Sequence, residues 1–299
     1  MFESHFPLPN LITFTLFLPK GTGPFRVGAL FQFLSGCPSP RRICVNFEEP
    51  SQDITLDQII SLESLVELYY AYNPVGRILL CLRLPRLEHL RVSFRFGSQQ
   101  EQRLTDLLPD GGHVLLARAT KMFYNSDGSS QEIKFLGKGT DVSFNILPPA
   151  IGHAPFDRFV DEMCILLGQI EGLAVGGSAT LYFPVNVVIL VNLRVLQIIP
   201  KDAEFTERFL RLFYPCPRTG VPCRSLQEIR HTHLRSLRPL IGLVRERKRA
   251  GHQLGLVRLS VSTRHEPNPG HVEELTEHVG VVQIGYQLSW DVSQCVDFP

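Results

Sequence analysis

The sequence predicts a degenerate α/β solenoid, with parallel strands on one face and helices on the other, and three observations predict it. A six-residue unit, typified by Leu87-Glu88-His89-Leu90-Arg91-Val92, recurs along the chain with apolar residues at its first, fourth and sixth places. Successive copies begin 22 to 33 residues apart wherever they run consecutively, enough for one short strand and one helix each. Between the copies lie segments whose apolar residues follow helical spacing. Within a strand alternate side chains point to opposite sides, so the fourth and sixth places face a core and the residues between them face away.

This period is that of leucine-rich-repeat units. The copies, in order, are Leu11/Phe14/Leu16, Ile43/Val45 with Pro40 in the leading place, Leu65/Leu68/Tyr70, and Leu87/Leu90/Val92. After a gap come Ile170/Leu173/Val175, Leu193/Leu196/Ile198, Leu226/Ile229, Leu256/Leu259/Val261 and a weaker Val279/Val282/Ile284. Residues 11–17 are a strand, and the next segment places Val27, Leu30, Phe31 and Leu34 on one helical face, with Gly36 to end it. Thr55-x-x-Gln58 is a capping box opening a short helix with Leu56, Ile59 and Ile60. Asn73-Pro74 caps another, with Val75, Ile78, Leu79 and Leu82 inward.

From residue 97 the rhythm changes to runs of alternation around the turn Asn125-Ser126-Asp127-Gly128, and Pro148, Pro149 and Pro155 follow as a linker. Phe156, Phe159, Val160, Met163 and Leu167 then resume helical spacing, as do Phe205, Phe209 and Leu212. Residues 237–250 form the next helix, with Gly251 just past its end, and Val272 and Leu275 mark a final short one. The organisation expected is N-terminal repeats over 1–96, a β-rich insertion and linker over 97–155, and C-terminal repeats over 156–299, in one continuous solenoid.

With 44% hydrophobic residues, 20% charged residues and a formal charge of +1, the chain is too apolar for disorder and too balanced to attract a polyanion. No nucleic-acid partner is expected. Seven cysteines form no Cys-x-x-Cys, which fits a reducing compartment, so the cytoplasm or nucleus is expected. The apolar run over 182–193 contains Pro184, Asn186 and Asn192 and falls short of the ~20 residues that cross a bilayer, so no membrane span is expected. Leu11 to Leu18 has the length of a signal-peptide core, but Glu3, Pro7 and Pro9 precede it without a basic start, and it reads as a strand.

Motifs for chemistry are weak. Cys216, Cys223, His231 and His233 lack zinc-site spacing, and no metal is expected. Gly137-Lys138-Gly139-Thr140 resembles the end of a phosphate-binding loop, but that motif needs a further glycine where Glu132 stands. Arg245-Glu246-Arg247-Lys248-Arg249 lies at a helix end, where cations meet the negative end of the dipole. With no nucleophile elbow and no matched triad, neither an enzyme nor a cofactor is expected.

What remains is the face opposite the core. It would carry Tyr69, His89, Arg91, Gln197, Arg230 and Arg258, alongside Thr13, Thr15, Glu67, Glu228 and Ser260. Tyrosine and arginine combine large contact area with hydrogen-bonding ends, the qualities of binding hot spots. An unknown protein is therefore the expected partner.

Beyond these patterns, Val221-Pro-Cys-Arg-Ser-Leu-Gln-Glu-Ile229, residues 240–252, Leu254-Gly-Leu-Val-Arg-Leu-Ser-Val261, residues 273–279 and Gly112-His-Val-Leu-Leu-Ala-Arg-Ala-Thr120 form a series. This series resembles the F-box/leucine-rich-repeat-like proteins of mushroom-forming fungi, over most of the chain. In that family an F-box docks the Skp adaptor of a cullin-type ubiquitin ligase and the repeats select a substrate. The resemblance thus implies the substrate-recognition part of an F-box receptor. No Leu-Pro-x-Glu-like start precedes Leu11, so a Skp adaptor is expected as partner only if an F-box is encoded upstream. The alternative is a stand-alone interaction or scaffold protein. The asparagine that the repeat carries nine places in occurs only as Asn73, so regular curvature is not implied.

Overall fold

The structure, a computed structural model, describes residues 8–19, 27–47, 59–72, 77–95, 104–110, 112–126, 130–147, 162–163, 166–177, 187–200, 203–218, 220–232, 236–261 and 266–286. Its elements, in order, are β1 (Thr13–Leu18), α1 (Val27–Ser35), β2 (Arg42–Phe47), β3 (Ile60–Ser61), β4 (Glu67–Tyr72), β5 (Leu82–Arg83), β6 (His89–Arg95) and α2 (His113–Ala117). There follow β7 (Ala119–Ser126), β8 (Gln131–Gly137), β9 (Thr140–Leu147), β10 (Gly172–Gly177), β11 (Val195–Pro200) and α3 (Ala203–Arg211). Then come β12 (Glu228–Thr232), α4 (Arg238–Arg249), β13 (Leu256–Val261), α5 (Pro269–His278) and β14 (Val281–Tyr286). The class is α/β with mostly parallel strands, and the chain forms two compact units, residues 1–119 with 129–163, and residues 120–128 with 164–299.

In the first unit β1, β2, β4, β6 and β9 pair in parallel, and β8 closes onto β9 antiparallel. The registers align the sequence units residue for residue. Fourth places stack as Phe14, Ile43, Leu68, Leu90 and Val142, and sixth places as Leu16, Val45, Tyr70, Val92 and Phe144. Beyond the exposed outermost strand these residues are almost fully buried. The leading places Leu65 and Leu87 are buried beneath them, and Pro40 fills the same role without a long side chain. Helix α1 covers this core with Leu30, Phe31 and Leu34, all wholly buried. A loop-level pairing of β3 with β5 runs parallel beside it.

The second unit repeats the plan with β7, β10, β11, β12, β13 and β14, all parallel. Its fourth places are Met122, Leu173, Leu196, Ile229, Val257 and Val282, and its sixth are Tyr124, Val175, Ile198, His231, Leu259 and Ile284. Helices α3 and α4 contribute Phe205, Phe209, Leu240, Leu243 and Val244 to the core. Asn268 caps α5 by accepting from the Gly270 N–H at 2.9 Å, and Leu275 is the residue of that helix that is wholly buried.

Several expectations change on contact with these registers. The unit of β13 begins at Leu254, not Leu256, because Val257 pairs with Ile229 and Val282. Leu254 and Leu256 are both apolar, so the sequence allowed either reading, and a slip of two residues leaves the outward side chains unchanged. The alternating runs within 97–155 include two further repeat strands, since β9 and β7 take the same columns as their neighbours. Ile60, expected on a helix, lies in β3. Leu212 is 41% exposed, and the wholly buried Phe213 takes the place expected for it because α3 ends at Arg211. Residues 78–81 form a 3-10 turn rather than an α-helix, and the expected caps at 55–58 and 73–74 lie outside the described residues, as do Phe156, Phe159 and Val160. Among the described residues no helix is long and apolar enough to cross a membrane.

Candidate functional site

Parity decides where the site can be. Because the fourth and sixth places of each strand enter the core, third and fifth places form two rows on the other side of the sheet. In the first unit these rows are Thr13, Arg42, Glu67, His89 and Asp141, and Thr15, Cys44, Tyr69, Arg91 and Ser143. Strand β8 adds Lys134 directly beside Ser143. An open depression of about 490 Å³ lies over these rows, lined among others by Arg42, Tyr69, His89, Arg91, Lys134 and Ser143.

Its contacts are mutual rather than directed to the core. The Arg91 guanidinium lies 5.6 Å from the Tyr69 ring centroid, a cation–π arrangement that stiffens both side chains. Arg42 meets Glu67 at 3.2 Å, His89 faces Asp141 at 3.9 Å, and Lys134 is 3.0 Å from Glu132. Water screens the exposed pairs, so they order the surface more than they stabilise the fold. The floor differs: Ser143 is 4% exposed and its Oγ has no hydrogen-bond partner. A buried hydroxyl without a partner costs free energy that the fold has not recovered.

Of the six residues expected on the binding face, Tyr69, His89 and Arg91 thus come together in one place. The other three lie in the second unit and form a different arrangement. Arg230 and Arg258 both hold Glu228, at 2.7 and 2.9 Å, and the Arg230 and Glu228 side chains are about 85% buried. Gln197 is in the expected row but only 1% exposed, next to the buried Ala174 and Phe123 of the same row. This part of the second unit's outward face is covered, and Gln197 presents no surface to a partner. Sequence reasoning missed Arg42, Cys44, Lys134, Asp141 and Ser143. The signal for the last two was the alternation Val142-x-Phe144, hidden because Gly139 stands where the leading apolar residue belongs.

Other motifs resolve into structure. Gly137 pairs with Thr140, so Lys138 and Gly139 are the tip of the β8–β9 hairpin, with Gly139 at φ +64°. In the basic run Arg245 pairs with Glu274, Lys248 donates to the Glu277 carbonyl at 2.6 Å, and Arg249 pairs with Glu246 at 2.6 Å. Arg247 is wholly buried and donates to the Pro222 and Cys223 carbonyls at 2.8 and 3.0 Å. Each cation of the run therefore has an intramolecular partner. Cys223 is buried with its thiol donating to the Val187 carbonyl at 3.2 Å, and His231 is in the core row. Residue 233 lies outside the description, and among the described residues no three His, Cys, Asp or Glu side chains could hold a metal ion.

Burial pushes the Cys223 thiol up from 9.0 to about 12, with Arg247 opposing the shift. A folded value above the unfolded one means that this thiol's contribution to stability is complete below about pH 9 and is lost as pH climbs toward 12. At pH 8 a maleimide should therefore modify the exposed Cys216 while Cys223 stays unmodified until the protein is unfolded in urea. Peptide mass spectrometry reads both sites, and equal labelling in the folded state would contradict the burial of Cys223. Compared with family models, with curated proteins and with solved structures, the chain matches none.

Proposed function

We propose that the outward strand face of the first unit is a protein-recognition surface, carried by a leucine-rich-repeat-like solenoid that binds rather than catalyses. One observation carries the reading: Tyr69, His89 and Arg91, from β4 and β6, converge with Lys134 and Ser143 on a single depression while the opposite side of the same strands makes the core. Tyrosine stacked on arginine gives a rigid, amphipathic contact that loses little side-chain entropy on binding. By its resemblance to F-box/leucine-rich-repeat-like proteins, the role is selection of a substrate for ubiquitination, in the cytoplasm or nucleus.

The test is the double variant Tyr69→Ala/Arg91→Ala, compared with the parent chain in quantitative affinity enrichment from cells. Loss of two central anchors should weaken capture of specific partners by roughly 100-fold, from about 2–4 kcal/mol of hot-spot energy. The unfolding midpoint should stay near that of the parent, because neither side chain is in the core. Partners retained equally by both proteins would overturn the assignment of this face. Recovery of a Skp adaptor with the product of the full transcript would support the ligase role, and a partner set without that adaptor would favour the stand-alone scaffold.

A further inference from the structure

The floor of the depression has a pattern that general stickiness does not explain. Ser143 pairs in register with Arg91 of β6 on one side and with Lys134 of β8 on the other. Neighbouring strands are about 4.8 Å apart, so the two cationic residues flank the serine across a span of about 10 Å at the backbone. The Ser143 Oγ is buried and has no partner, and the Asn145 Oδ1, two residues on along the same face of β9, is a second buried atom without one. Among the described residues Arg91 has the Tyr69 ring as its neighbour and no carboxylate in ion-pair contact. A hydroxyl donor between an ammonium and a guanidinium is a ready arrangement for an anion.

We infer that the row Arg91, Ser143, Lys134 receives one carboxylate, an Asp or Glu side chain of an extended segment of the partner. This rests on the reading of the face given above and names the chemistry that the face selects. Charge decides between a carboxylate and a phosphate. Arg42 is held by Glu67 and Lys134 by Glu132, while Asp141 faces His89, which leaves Arg91, among the described residues, as the cation of the lining with no carboxylate in ion-pair contact. A single negative charge balances it, whereas a phosphate dianion would overshoot and meet Asp141, two residues from the serine on β9. The carboxylate accepts from Arg91 and from the Ser143 hydroxyl as the long cationic side chains part over it, and Lys134 shares its ammonium between the ligand and Glu132. Asn145 Oδ1 then accepts an N–H of the bound segment, and both buried orphan atoms acquire partners.

The experiment is selection of a displayed random-peptide library on the full chain, followed by affinity measurement on purified peptides. The selected peptides should share an Asp or Glu. Changing that residue to Asn or Gln should weaken binding at least tenfold, and so should Arg91→Gln, Lys134→Gln and Ser143→Ala, each of which removes a charge-assisted bond worth roughly a factor of ten. Ser143→Ala guards against misfolding, since it removes an unpartnered hydroxyl and should melt no lower than the parent. Peptides that need Tyr69 but carry no acidic residue would overturn the inference and leave the face intact. Tighter binding when phosphoserine replaces the acid would overturn the choice of a carboxylate. Peptides that bind the Tyr69→Ala/Arg91→Ala variant as well as the parent, or a library that yields none, would overturn the inference together with the face.

Discussion

Arg247→Ala should destabilise the second unit by about 2–4 kcal/mol, read as a fall in its urea midpoint. The guanidinium is wholly buried and spans two consecutive carbonyls, those of Pro222 and Cys223, in the turn that leads into β12. Cys223 holds φ +49°, the positive value among the described non-glycine residues, so the turn is strained and the arginine braces it. Removal leaves the Pro222 carbonyl unsatisfied at about 1–3 kcal/mol, leaves the Cys223 carbonyl with the Leu226 N–H alone, at 2.9 Å, and empties the space that the side chain fills. Arg247→Met restores the packing but not the bonds, and should recover only part of the loss. Equal stability of parent and alanine variant would show that the arginine contributes nothing net.

In the first unit the largest single effect should come from Phe144→Ala. Phe144 ends the row of sixth places, is wholly buried, and meets Phe135 edge to face with ring centroids 6.4 Å apart. Large-to-small changes at such sites cost about 3–5 kcal/mol through lost transfer energy and the cavity left behind. The neighbouring Ser143→Ala, on the opposite side of the strand, should be neutral or stabilising. That contrast between adjacent residues is a direct reading of strand orientation, and similar losses at both positions would contradict the register of β9.

Much of this arrangement was legible because one spacing rule runs through both units. A residue at the fourth or sixth place is core in the inner strands, as Leu90, Val92, Leu196 and Ile198 are, while the outermost strands leave Phe14 and Leu16 half-buried and Ile284 exposed. Strands β7 and β9 read as part of a β-rich insertion and not as repeat strands because their leading places hold Ala119 and Gly139, too small to register as part of the pattern. Arg247 was read as part of a cationic run, yet it continues the stripe Leu240, Leu243, Val244 at helical spacing, and its long side chain lies along that buried face. Gln197 illustrates a limit of another kind: periodicity assigns the side of the sheet but not what covers it. His231 shows the same limit from the core side, a ring accepted into an apolar row with its Nδ1 2.9 Å from the Thr232 carbonyl.

Position-specific photo-crosslinking tests the central claim most directly. A photoreactive phenylalanine analogue placed at residue 69, where it keeps an aromatic ring, or at residue 44 in the same lining reports what touches the depression, and the same analogue at the exposed His113 of α2 serves as the control within the same unit. The account predicts that residues 44 and 69 crosslink to the same protein and that residue 113 does not. Crosslinks that arise equally from residue 113, or from it alone, would contradict recognition by the outward strand face.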